Sequence, residues 1–440
     1  MNREYVFYCP SGVICYVKRN FLLTGYRGGS RIRPMLTRRD LLTNMTRIAA
    51  LASLVQIVPH PMNSALTSAL AADSRDELIR QAPRARFWTS VPLAGKDCRS
   101  CHTTAITAKG QPHRHEENLV KCLLCAQNCF IRDGQRGRCR ARINVSGELR
   151  SLVYGRPASI HVDPIEKKPF YHFLPGAAAF SLATAGCPLS CKFCQNWEIS
   201  QAWPEDLKTS YTPPSLIVRS AYARKAPVIA FTYNEPTVFA EYLIDIARDA
   251  KKQGLRPVII SCGFMNKAPL LEMCQVLSAV KIDLKGFSEN FYRNVCGAEL
   301  KPVLNTIKEV SKRKVHLEIV NLVVPTLNDS EEMLRGLIEW ILAEIGPDVP
   351  VHFTRFHPDY QLLNLPPTPV ASLERAREMA MSRGINYAYV GNVPNHPGNH
   401  TYCPNCKKVV VKRMGFFLEE IHVKNGRCNF CRRKIAGVWA

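Results

Sequence analysis

Residues 186–197 read GCPLSCKFCQNW and set Cys187, Cys191 and Cys194 in the pattern Cys-x3-Cys-x2-Cys. Structural zinc takes four ligands, and ferredoxin-type iron–sulfur cubes usually take four cysteines, so three thiolates leave one corner unfilled. A four-iron cube held this way keeps one iron free to bind a small molecule. Three-quarters of a zinc site is the plainer alternative.

The other cysteines are grouped as well. Ten of the eighteen lie in five Cys-x-x-Cys pairs, at 98/101, 122/125, 191/194, 403/406 and 428/431, and Cys129 and Cys187 extend two of them. That grouping reads as metal ligation, since thiolates at this spacing converge on one centre, and the density over 440 residues is too low for a disulfide scaffold. CPNC and CNFC near the C-terminus, with the β-like VVVKRMGFFLEEIHV between them, predict a zinc ribbon on Cys403, Cys406, Cys428 and Cys431. In the N-terminal half, CLLCAQNCFIRDGQRGRC offers Cys122, Cys125, Cys129 and Cys139 to a metal. Here the chemistry stays open. CRSCH at 98–102 matches c-type haem attachment; Cys98, Cys101, Cys122 and Cys125 fit a zinc ribbon in which His102, His113 or His115 replaces a thiolate; and a second iron–sulfur cluster fits equally.

A hydrophobic content of 46% and ordinary aromatic content exclude a disordered chain, and the length allows two or three domains. The formal charge is +23, of which residues 1–72 carry +7. Such a balance permits nucleic-acid binding, but no dense basic run with interleaved aromatics appears, so a solvated basic surface is the favoured reading. Arg38 and Arg39 precede an apolar run over 48–58, and ALA at 69–71 offers a small-residue cleavage site. The run is too short to span a bilayer, and the pattern is similar to a twin-arginine export signal, with cleavage expected near Ala71.

The elements that must position these residues alternate. Apolar β-rich runs recur at AFSLATAG, VIAFTY, PVIISCG, AVKIDLK, HLEIVNLVVP, VHFTRF and YAYVG, with helix-like stretches at 237–253, 301–313, 330–343 and 370–382 between them. This predicts parallel βα units in a barrel or doubly wound sheet. In such a fold functional residues gather at the C-terminal ends of strands, and the three cysteines, YNEPT and FHPDY all stand there in the sequence.

Cys-x3-Cys-x2-Cys after a first strand, with Phe193 before Cys194, resembles the signature of radical S-adenosylmethionine (SAM) enzymes. By that resemblance the missing ligand is SAM, bound to the free iron of a 4Fe-4S cluster, and the fold is an α/β, (β/α)6-type partial barrel. FTYNEPT occupies the place of the motif that contacts the SAM amino group, which implies contacts from Asn234 and Glu235; taken alone, Glu235 before Pro236 could simply cap a helix. KIDLKGF matches an Asp-x-Lys of glycyl-radical-enzyme activators, implying that Lys285 meets the SAM carboxylate and Asp283 binds polar groups or a cation, and RFHPDY puts His357 where those activators carry a histidine near SAM. The order YNEPT, DLKGFSENFYRNVCG, VVPTLNDS, FTRFHPDY, YVGNVPN and terminal cysteines resembles the AmmeMemoRadiSam system radical SAM enzymes, pyruvate formate-lyase activating enzyme-like, over about residues 115–440. Lys407 stands where that family's zinc knuckle has glycine, and Cys262 where asparagine is common.

The resemblance implies reductive cleavage of SAM to a 5′-deoxyadenosyl radical that abstracts hydrogen from a protein or small molecule. It also implies a flavodoxin or ferredoxin as reductant, a Memo-like protein as partner, and chemistry in the cytoplasm despite the exported-type leader. A radical SAM enzyme acting on RNA, and a non-catalytic iron–sulfur or zinc-ribbon protein in electron transfer or nucleic-acid binding, are the alternatives. The expected organisation is a leader over 1–72, a Cys-rich metal module over 73–150, a radical SAM core over 151–395 and a zinc-ribbon-like module over 396–440.

Overall fold

A computed structural model describes residues 75–91 and 118–440, together with the backbone of two short strand pairs, Tyr5–Tyr8 with Ile14–Val17 and Tyr26–Arg27 with Ser30–Arg31. The twin-arginine pattern, the cleavage site near Ala71, Cys98, Cys101, His102, His113 and His115 lie outside the described residues. The chain divides into two compact units, Met1–Asp73 and Ser74–Ala440.

The second unit is built on one eight-stranded mixed sheet. Its strands are β1 (Ser159–Pro164), β2 (Ala178–Ala183), β3 (Val228–Phe231), β4 (Arg256–Ser261), β5 (Ala279–Asp283), β6 (His316–Val323), β7 (Val351–Arg355) and β8 (Ala388–Gly391), ordered as in the sequence. β1 is antiparallel to β2, and every later pair is parallel. Six helices fill the crossovers: α1 (Pro214–Ala223), α2 (Ala240–Lys252), α3 (Lys267–Val276), α4 (Leu300–Ser311), α5 (Glu331–Glu344) and α6 (Val370–Ser382). The seven apolar runs of the sequence are the seven parallel strands. β3 is buried along its whole length because helices cover one face and the sheet's own interior the other, which is why it reads as a continuous apolar run.

Local chemistry sets the helix starts. Ser330 accepts from the Met333 amide and Glu331 and Glu332 occupy the first turn of α5, so a side-chain oxygen and two negative charges meet the free amides there. The four helices expected from periodicity are α2, α4, α5 and α6. Three elements had no strong sequence signal: α1, α3 and the antiparallel strand β1.

The Cys-rich segment forms small antiparallel pairs, Trp88–Ser90 with Val120–Cys122, Val120–Cys122 with Phe130–Ile131, and Arg142–Val145 with Glu148–Ser151. It shares the main apolar core with the sheet, since Val120, Leu124, Ile131 and Leu149 pack in the same cluster as Phe231, Ile259 and Ile282. Among the described residues no helix is long and apolar enough to cross a membrane.

Candidate functional site

Gly186 and Cys187 follow β2, Asn234 and Glu235 follow β3, Cys262 follows β4, Lys285 follows β5 and His357 follows β7. The parallel register puts all of these loops at one end of the sheet, so residues 170 positions apart become neighbours. The cysteine loop is tied to the β3 loop by two side-chain bonds: Asn234 Nδ2 donates to the Gly186 carbonyl at 2.8 Å, and Asn196 Nδ2 donates to the Tyr233 carbonyl at 2.9 Å.

Cys187, Cys191 and Cys194 lie within electrostatic reach of one another. Burial pushes the Cys187 thiol well above its ordinary value. Cys191 goes the other way. A hydrogen bond with Cys296 lowers it, burial opposes that, and the Lys285 ammonium adds to the lowering. Cys296 closes a π-helical turn, Tyr292–Cys296, and reaches Cys191 because the Ser190 amide donates to the Cys296 carbonyl at 2.9 Å and the Lys192 amide to the Val295 carbonyl at 3.0 Å. Burial works against the charge on Lys285, yet Asp283 and the thiols of Cys191, Cys296 and Cys262 outweigh it and raise its pKa well above the usual lysine range. Asp283 itself is held low: burial raises it, and Lys281 and Lys285 more than compensate.

Glu235 caps the short helix Pro236–Phe239, accepting from the Thr237 amide at 3.0 Å, and it also accepts from Ser261 Oγ at 2.8 Å and the Cys262 amide at 2.7 Å. The capping role is therefore real, and the carboxylate is also within electrostatic reach of Cys187. Asn234 differs. Its Oδ1 is buried without a hydrogen-bond partner, a costly state for an amide oxygen. His357 is exposed on the loop after β7, and that loop touches the cysteine loop through the Gln361 amide, which donates to the Lys192 carbonyl at 2.9 Å, and through stacking of Tyr360 on Trp197.

Farther into the sheet's interior lies a polar group that the sequence did not announce. Asp163 on β1 accepts from Lys168 Nζ at 2.6 Å and from the Tyr233 hydroxyl at 2.6 Å, and burial lowers Lys168 to about 8 against the pull of Asp163. Cys296 was equally hidden, being a cysteine outside every Cys-x-x-Cys pair.

At the C-terminus Cys403, Cys406, Cys428 and Cys431 bring their sulfurs within 4.8 Å of one another, with 3.5 Å between Cys403 and Cys431 and 3.8 Å between Cys406 and Cys428. Tetrahedral ligation at about 2.3 Å per bond requires sulfurs roughly 3.8 Å apart. Both Cys-x-x-Cys loops end alike. Lys407 (φ 59°) and Arg432 (φ 66°) are left-handed, and their amides donate to the carbonyls of Cys403 and Cys428 at 3.0 and 2.9 Å. Lys407 thus adopts the conformation for which glycine was expected. The module seats on the segment between β1 and β2 through the buried Arg413, whose Nη2 donates to the Tyr171 carbonyl at 2.7 Å.

Residues 181–340 match the Radical SAM superfamily. An uncharacterized protein of Methanocaldococcus jannaschii is 42% identical over 322 residues, which cover 73% of this chain and 96% of that protein. The pyruvate formate-lyase-activating enzyme of Clostridium pasteurianum is 26% identical over 186 residues, 41% of this chain and 77% of the enzyme. The crystal structure of a domain of pyruvate-formate lyase-activating enzyme from Bacteroides vulgatus aligns with 37% of this chain and 98% of its own, at 17% identity and a TM-score of 0.34. With the cysteine loop at the mouth of a parallel α/β sheet, the chain belongs to the radical SAM superfamily.

Proposed function

We propose that this chain is a radical SAM enzyme in which Cys187, Cys191 and Cys194 hold a 4Fe-4S cluster and Asn234, Glu235, Asp283, Lys285 and His357 surround SAM at the free iron. One observation carries the reading: Asn234 Oδ1 is a buried acceptor without a donor, anchored through its own amide to the residue before Cys187. An ammonium group supplied by SAM fits that vacancy in hydrogen bonding, and Glu235 adds a compensating negative charge beside it. The Lys285 ammonium, held charged by Asp283, suits the carboxylate of SAM. When bound, cluster and SAM supply reductive carbon–sulfur cleavage to a 5′-deoxyadenosyl radical.

The reaction is hydrogen abstraction from a protein or small-molecule substrate, in the manner of a glycyl-radical-enzyme activase. The activating enzymes among the relatives support this class. A flavodoxin or ferredoxin supplies the electron, a Memo-like protein is the partner of the same system, and zinc occupies the C-terminal four cysteines. The Cys-rich segment over 73–150, the core over 151–395 and the module over 396–440 act as one cytoplasmic enzyme, with a leader over 1–72.

Anaerobically reconstituted and reduced protein should convert SAM to 5′-deoxyadenosine and methionine. Cys191→Ala should lose both the cluster absorbance and this cleavage, and cleavage retained in that variant would overturn the assignment. Asn234→Leu should keep the absorbance and weaken SAM binding at least about tenfold, since it removes both the Oδ1 acceptor for a charged group and the Nδ2 bond to the Gly186 carbonyl.

A further inference from the structure

Four more thiols converge beside the radical site. Cys122 ends the strand Val120–Cys122, and its amide donates to the Cys129 carbonyl at 2.9 Å, closing a loop that carries Cys125. Cys139 follows a turn at Gly137, where a β-carbon would stand 3.3 Å from Ile131 Cδ1 and 3.8 Å from Cys129 Sγ. Each of the four thiols lies within electrostatic reach of the other three, and Cys122, Cys125 and Cys139 are buried.

Spacing separates two kinds of centre. Among the described residues, the C-terminal cysteines are the set whose ligand atoms all stand within 4.8 Å, as one ion demands. The 122/125/129/139 quartet is wider, as is the Cys187/Cys191/Cys194 trio. A cluster spreads its thiolates because each sits on its own iron or shares one with a single neighbour. The Arg142 guanidinium lies within reach of Cys122 and Cys139, which suits a centre with net negative charge.

The quartet is also welded to the radical site. Gly186, next to Cys187, is left-handed at φ 93°, and a β-carbon there would come within 2.3 Å of the Cys139 carbonyl oxygen. Gln127 Nε2 donates to the Pro188 carbonyl at 2.9 Å, Arg138 Nη2 to Ser190 Oγ at 3.2 Å, and Asn266 Nδ2 to the Cys125 carbonyl at 3.1 Å. The loops bearing the two cysteine sets are thus in backbone contact.

We infer that Cys122, Cys125, Cys129 and Cys139 hold a second iron–sulfur cluster, coordinatively closed, through which electrons enter the Cys187/Cys191/Cys194 site. A low-potential flavodoxin- or ferredoxin-type carrier is oxidised by one electron, the quartet centre is reduced and reoxidised, and the trio centre is reduced; no bond forms or breaks in the relay. The relay half rests on the radical SAM reading, which SAM cleavage by dithionite-reduced wild-type protein tests by itself.

The full chain with Cys187, Cys191 and Cys194 all changed to Ala should, after anaerobic reconstitution, keep iron and acid-labile sulfide in equal amounts and give an electron paramagnetic resonance signal on reduction. Adding Cys129→Ser should remove both. Zinc in their place, or no metal beyond the C-terminal site, overturns the cluster. If the triple variant does not fold, wild-type protein decides: iron clearly above the roughly four atoms of one cube supports the second cluster, and four or fewer overturns it. For the relay, Cys129→Ser with the trio intact should lower the ratio of carrier-driven to dithionite-driven reduction of the trio centre at least tenfold. An unchanged ratio overturns the relay and leaves the radical SAM reading untouched.

Discussion

The Ser190 amide, next to Cys191, donates to the carbonyl of Cys296 at 2.9 Å, which brings the two cysteines together although 105 positions separate them in the chain. Two backbone bonds flanking the pair, from the Ser190 and Lys192 amides, fix the approach. A thiol held there pairs readily with its neighbour whenever the trio is without iron. Metal-free protein exposed to a mild oxidant should form a Cys191–Cys296 disulfide, seen by peptide mass spectrometry. Cys296→Ser should abolish that linkage and still bind iron at the trio; a variant that cannot bind iron would make Cys296 a ligand instead.

Arg142 and Glu241 form a buried ion pair between the Cys-rich segment and α2, with Arg142 Nη2 at 2.7 Å from Glu241 Oε1 and the Arg86 amide at 2.8 Å from the same oxygen. Removing one partner leaves the other charge buried and uncompensated, at a cost of about 3–5 kcal/mol. Arg142→Met should therefore lower the denaturation midpoint sharply, while Arg142→Met with Glu241→Leu should recover much of the loss. Equal destabilisation in single and double variants would show that the two charges do not compensate each other.

Acid should loosen the seat of the C-terminal module. His172 Nδ1 donates to the Ala436 carbonyl, which leaves Nε2 to accept from the Tyr389 hydroxyl, so the ring is neutral. Burial lowers its pKa to about 3, against an ordinary 6.5. As pH falls below 6.5 the unfolded chain takes up the proton first, and stability drops across the window down to about 3. Glu318 adds to this at lower pH. Burial raises its pKa, but hydrogen bonds from His316 and His352 outweigh that and hold it well below normal, so its contribution fades as pH falls through and below 4.5. Thermal melts at pH 7.5, 6 and 5 should show a falling midpoint, and His172→Phe should flatten the decline between 6.5 and 5. An unchanged slope in that variant would exclude His172 as its source.

The four C-terminal cysteines should hold about one zinc per chain, the number one tetrathiolate site accepts. Changing Cys403 and Cys431 together to Ser should remove it and leave the iron of the trio in place. Metal analysis reads both at once, and zinc retained in full would place it elsewhere.

The sequence by itself determined what is local. Seven apolar runs became the seven parallel strands because a strand covered on both faces needs no polar alternation. The Cys187 loop and the terminal pairs were legible because their ligands lie a few residues apart, where backbone geometry alone brings sulfurs together. Glu235 as a helix cap was legible for the same reason. Tertiary structure decided the rest. β1 comes from a segment with no strong strand pattern, and although Lys168 reaches Asp163 locally, five residues on, Tyr233 meets it only once β1, β2 and β3 have paired. Cys296 and Arg142 find Cys191 and Glu241 across about a hundred residues. The seating of the Cys139 carbonyl on Gly186 depends on how the Cys-rich segment packs on the loops at the end of the sheet. Such contacts are set by strand order and loop closure, to which residue type and spacing give no direct access.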